Sequence, residues 1–205
     1  LEYFSCFLSC PASLFGKEEK KMPERPMDEI LASLGDDIIL EFDAIARAAH
    51  GRFRAYAPAD IIELDSRAQA ACTYSHMLAE AYRRFDGRSG VRALDIRNLK
   101  VWHFEQAGVV IRLKKMDEDG RSRNYPTKQA KAFDGQMELP GLPSPPIRLT
   151  AGYLLDATGT ELIRSQISLP IGREIEWCVA VVPETKRTEA DRVWEDVTRQ
   201  ARAAL

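Results

Sequence analysis

The chain has 205 residues, 45% of them hydrophobic and 29% charged, a usage that excludes a collagen-like, mucin-like or wholly disordered polypeptide. A chain of this length can bury a sizeable core without metal or disulfide staples. Its 29 Lys and Arg against 31 Asp and Glu leave a net charge of −2, so any case for a nucleic-acid or membrane partner rests on local clusters.

Residues 1–16, LEYFSCFLSCPASLFG, are apolar and aromatic, and the charged run from Lys17 to Lys21 follows them instead of preceding them. That order is wrong for a secretory leader, and Pro11 cuts a run far too short for a membrane span. The expectation is that 1–27 is a disordered leader or an over-long start, with the true beginning at Met22 or Met27, and that 28–205 is a single domain. Cys6 and Cys10 lack a second ligand pair at zinc spacing, and His50, His76 and His103 are scattered. Neither a disulfide framework nor a metal site is expected, and a reducing cytoplasm fits best.

From Asp28 the apolar residues Leu31, Leu34, Ile38, Phe42, Ile45 and Ala49 recur at steps of three and four, predicting a helix to about residue 50. After a connection containing Pro58, Asp60 with Glu63 has the spacing of an acid-capped start. Ile61, Leu64, Ala68, Ala71, Leu78, Tyr82 and Phe85 then continue a stripe to Asp86-Gly87. Past Gly90 the period falls to two. Leu99, Val101 and His103 alternate with Lys100, Trp102 and Phe104, and Val109 to Lys115 returns as the second arm of a hairpin. Beyond the proline-rich 139–146 come three β-rich runs, 148–155, 160–169 and 173–182, separated by turns at 156–159 and 170–172. The last has two apolar faces and reads as a covered strand. Residues 184–205 read as an Arg-rich helix with Val193, Trp194 and Val197 as its buried edge. The expected fold is therefore α+β: an N-terminal helical hairpin packed on a mainly antiparallel β-sheet of about five strands, with a C-terminal helix.

The most distinctive stretch is 112–131, which holds seven cations against Asp117, Glu118 and Asp119, a local excess of four in a net acidic chain. Lys114 and Lys115 leave a strand beside the Asp119-Gly120 turn, and Arg121 and Arg123 return at period two. Asn124-Tyr125-Pro126 then opens a short helix carrying Thr127, Lys128 and Lys131. The candidate nucleic-acid or anion-binding residues are Lys114, Lys115, Arg121, Arg123, Asn124, Tyr125 and Lys128, with the cations holding phosphate and Tyr125 stacking on a base. The same charges also suit a solvated hairpin tip paired with the three acids.

Other chemistries find less support. No acid precedes Lys114 or Lys115 at the strand spacing of a metal-dependent nuclease, and Glu174 and Glu176 have no lysine following them. Asp117, Glu118, Asp119 and Gly120 fall short of a calcium loop. No phosphate-binding glycine loop is present, so no cofactor is expected. Tyr74, His76 and Glu80 are candidates to line a cleft, His76 more simply as a partly buried structural residue, and Trp102 and Trp177 read as core aromatics.

The strings Lys114-Lys-Met-Asp-Glu-Asp-Gly-Arg-Ser-Arg-Asn-Tyr-Pro-Thr-Lys-Gln129, Leu139-Pro-Gly-Leu-Pro143 and Leu149-Thr-Ala-Gly-Tyr-Leu-Leu-Asp-Ala-Thr-Gly-Thr-Glu161, closed by Glu176-Trp177, resemble a bacterial family without assigned catalytic residues. Its members are similar to small proteins encoded beside helix-turn-helix or zinc-peptidase-like regulators, in the manner of toxin–antitoxin and phage-defence pairs. The resemblance covers about 61–182. It implies a toxin-like cytoplasmic effector that acts on nucleic acid through the basic hairpin. The alternative is a non-enzymatic interaction module that binds a regulator or antitoxin protein. No membrane partner is expected on either reading.

Overall fold

Gly35 divides the first apolar stripe in two. The structure, a computed structural model, describes residues 25–123, 127–142, 146–188 and 191–198. Helices α1 (Met27–Leu34) and α2 (Asp36–Arg54) stand where one helix was expected. Gly35 sits at φ 85°, a conformation strained for side chains, and a Cβ there would lie 2.8 Å from Asp37 Oδ1. The second stripe is divided as well: α3 (Pro58–Glu63) ends at extended Leu64, and α4 (Ser66–Phe85) starts afresh. Its cap is Asp65, not Asp60, and the Asp65 carboxylate accepts from the Ala68 N–H at 2.7 Å.

The sheet contains β1 (Val91–Ile96), β2 (Leu99–Phe104), β3 (Val109–Lys115), β4 (Ile147–Leu155), β5 (Leu162–Ile171), β6 (Glu174–Val181) and β7 (Trp194–Asp196), in that spatial order. Every neighbouring pair is antiparallel except β3 and β4, which are parallel. The fold is thus α+β with a mostly antiparallel sheet, but with seven strands instead of about five. One extra strand is β1, which precedes the expected hairpin and joins β2 through Arg97 and Asn98, both at positive φ, the two-residue turn that matches strand twist. The other is β7, where a C-terminal helix was expected. Over 184–198 the described residues form a short 3₁₀ turn (Glu184–Lys186) and β7, and 199–205 lie outside the described residues, as do 1–24 of the expected leader. The physical reason is backbone pairing: the Val182 N–H donates to the Val193 carbonyl and the Val197 N–H to the Cys178 carbonyl, both at 2.9 Å. These bonds cover what would otherwise be an open edge of β6.

Helices α1, α2 and α4 cover one face of the sheet over an apolar core. There Trp102 is buried against Tyr82 and Phe85, with ring centroids 5.5 and 6.4 Å away. The opposite face is buried but polar, with Arg112, Arg148, Thr150, Gln166 and Ser168 on it. Its cover is the crossover from β3 to β4, which carries α5 (Lys128–Asp134), capped by Thr127; Phe133 of α5 packs on Val101 and Val110.

The expected basic hairpin is the beginning of that crossover. Beyond Lys115 the chain closes a turn joined by a single bridge, Met116 to Ser122. No second hairpin arm can pair along the β4 side of Lys114 and Lys115, because Gly152 and Tyr153 occupy it. The turn lies instead on the polar face, where Ser168 Oγ donates to the Gly120 carbonyl at 2.8 Å and Gln166 Nε2 to the Asp117 carbonyl at 2.7 Å.

Candidate functional site

Strands β2 and β3 part company before either ends. Their pairing runs from Phe104 and Val109 to Val101 and Arg112, whereas β3 stays paired with β4 as far as Lys115 and Tyr153. Lys114 therefore emerges into a fork. A hollow of about 740 Å³ opens there, lined by Leu99 of β2, Arg112 and Lys114 of β3, Arg123 of the crossover, Gln129 of α5 and Arg67 of α4. A second hollow of about 500 Å³ adjoins it along α4, lined by Arg67, Tyr74, Lys114, Lys115 and Arg123. Arg67, Lys114 and Arg123 belong to both, so the two form one cleft. Among the described residues the lining of both hollows contains no carboxylate.

The cations sit at two depths. Arg112 forms the floor and is only 2% exposed. Its guanidinium donates to Thr150 Oγ1 at 3.1 Å and Ser122 Oγ at 3.0 Å, pairs with Asp134 and lies 4.5 Å from the Phe133 ring centre. Burial pushes the Asp134 carboxyl up in pKa even though Arg112 opposes the shift. Lys114 lies above this floor with its ammonium 5.1 Å from the Tyr74 ring centre, an attraction between cation and aromatic face. It makes no ion pair among the described residues. Burial first, then the Arg112 charge, lower its pKa to about 8, with Asp134 acting in the opposite sense. Lys115 is lowered by burial and by Arg123. Arg67 and Arg123 stand exposed at the rim.

Of the residues singled out in the sequence, Lys114, Lys115 and Arg123 meet in the cleft. Arg121 does not: it pairs with Asp119 at 3.0 Å and donates to the Arg173 carbonyl at 3.3 Å. Asp117 accepts from the Asp119 and Arg121 backbone N–H groups. The acidic turn thus engages Arg121. Lys128 is exposed on α5 and borders another hollow, beside Ile96 and Arg97, which meets the cleft at Gln129. Asn124 and Tyr125 lie outside the described residues. Tyr74 lines the cleft, but His76 bonds the Tyr56 hydroxyl at 2.9 Å and Glu80 pairs with Arg52, Arg83 and Arg84.

Sequence reasoning counts Arg112 only in the local charge excess and misses Arg67 altogether. Its signal was the series Arg67, Ala70, Ala71, Tyr74, which shares one face of α4 at helical spacing and leaves space over two alanines between a cation and an aromatic ring. Among the described residues, no group of three or more His, Cys, Asp or Glu is placed to hold a metal ion, and no helix is long and apolar enough to cross a membrane. What the cleft offers chemically is concentrated positive charge, partly withdrawn from water, beside one aromatic ring. Comparison of the chain with protein-family models, curated proteins and solved structures found no match.

Proposed function

We propose that the protein binds nucleic acid, with the cleft holding the phosphate backbone, as the recognition part of a toxin-like effector. The observation that carries this reading is the convergence of Arg67, Arg112, Lys114, Lys115 and Arg123, from a helix, a strand and a loop, on one concave site whose described lining holds no carboxylate. Isolated surface cations are ordinary; here Asp134 offsets Arg112, and co-locating the four remaining like charges is costly unless an anion joins them. The hollow has the volume of a small-ligand site, enough for a nucleotide unit. The resemblance to toxin–antitoxin and phage-defence pairs suits an effector of this kind.

Fluorescence anisotropy with a labelled single strand tests it. Arg67→Ala/Arg123→Ala alters two exposed rim residues and is expected to weaken binding at least about tenfold, since each charge-assisted contact contributes roughly 1.5–3 kcal/mol before solvent screening reduces it. Arg121→Ala, outside the cleft, is expected to bind as the wild type does. Unchanged affinity in the double variant overturns the reading.

A second reading, a protein-interaction module, is favoured by α3, none of whose residues is buried and whose Ile62 is 83% exposed. Ile62→Asp separates the two readings, because it leaves the cleft intact and should abolish only protein capture.

A further inference from the structure

We infer, resting on the nucleic-acid reading, that the deep part of the cleft takes a terminal phosphate monoester, at the end of a strand or on a free nucleotide, in preference to an internal phosphodiester. The two depths of the cations carry the argument. Arg67 and Arg123 at the rim are exposed and accessible to a strand passing across the mouth. Arg112 is 2% exposed, and Lys114 beside it is drawn in over the Tyr74 ring. A backbone phosphodiester continues in both directions and cannot descend to that floor without burying sugars and bases on each side. A terminal phosphate has one substituent and can enter end-on.

Charge points the same way. A diester carries one negative charge, whereas a monoester carries about 1.5 to 2 near neutral pH and offers three terminal oxygens. Asp134 already balances one floor charge through Arg112. What remains at depth is the Lys114 ammonium, with Lys115 beside it and Arg67 and Arg123 above. A dianion balances that remainder better than a monoanion does. Lys114 also holds its proton weakly without a ligand, its pKa lowered to about 8 by burial and by Arg112, and an incoming dianion reverses that by supplying the missing negative charge.

The test compares three probes on the full chain at fixed salt and near-neutral pH. They are a single strand with a 5′-phosphate, the same strand with a 5′-hydroxyl, and a nucleoside monophosphate used as competitor. The expected result is that the phosphorylated strand binds at least about tenfold tighter and that the monophosphate competes for its site. Lys114→Gln should then bring the two strands to within about twofold of one another. Equal affinity of the two strands for the wild type overturns the inference and leaves the backbone reading standing. Binding of the monophosphate without either strand supports the monoester site and overturns the nucleic-acid reading. Binding of none of the three overturns both.

Discussion

On the proposed reading, Lys114 is the residue whose ionisation would couple the cleft to an anion. Arg112 on its own strand, Asp134 on α5, Arg67 and Tyr74 on α4, Lys115 and Arg123 all lie around it. Its folded pKa, about 8, is depressed from 10.5, so without an anion to offset the charge the fold loses stability as pH falls from 10.5 to about 8, and no more below that. Anion affinity should accordingly be full well below pH 8 and decline as pH rises through it. A pH series of strand affinity, run beside Lys114→Arg, checks this. The arginine keeps its charge throughout and should show no inflection; the same inflection in both proteins would assign the titration elsewhere. None of this depth was legible in the sequence. Arg112 read there as one more cation in a charged run and Lys114 as a phosphate-holding residue of a hairpin, and only the cover that α5 and the turn place over the second face of the sheet makes one a buried floor and the other a half-buried ammonium.

Pairing of β3 with β4 fixes where Lys114 emerges, and one glycine sets their closeness. Gly152 lies opposite Lys114, and a Cβ built on it would meet the Lys114 carbonyl oxygen at 1.7 Å and Met116 Sδ at 3.0 Å. The nearest of these is backbone and cannot swing aside. Gly152→Ala should therefore lower stability by roughly 1–3 kcal/mol, read as a drop of several degrees in the unfolding midpoint. It should also weaken anion binding by pushing the Lys114 segment out of place. An unchanged midpoint and affinity would contradict the close approach. The sequence shows elements well where burial repeats at a fixed period and poorly where one residue breaks the period. The stripes of α2 and α4 and the meander of β4 to β6 were plain; the breaks at Gly35 and Leu64 were not, because the apolar residues run on through both. At the C-terminal end, of the expected buried edge, Val193 is buried and Trp194 and Val197 are half-buried, but not on a helix. With β6 open beside them, backbone pairing outweighs a weak helical pattern.

At the scale of the molecule, charge is segregated: the chain carries −2 in all, while the cleft gathers five cations. On the proposed reading, this is the place that draws a polyanion. The sequence showed that a local excess existed near 112–131 but not its shape. Arg67 comes to it from a helix far along the chain, while Arg121, inside the excess, is tied to Asp119 and lost to the site. Tertiary packing decides which charges meet, and counting along the chain cannot. The most direct test of the account is the salt dependence of single-strand binding by the wild-type protein. Each neutralised phosphate contributes a slope of about −0.7 in log affinity against log salt, so Arg67, Lys114 and Arg123 acting together should give roughly −2. A slope near zero, or no binding at the lowest salt, would contradict a cleft built to hold nucleic-acid phosphate.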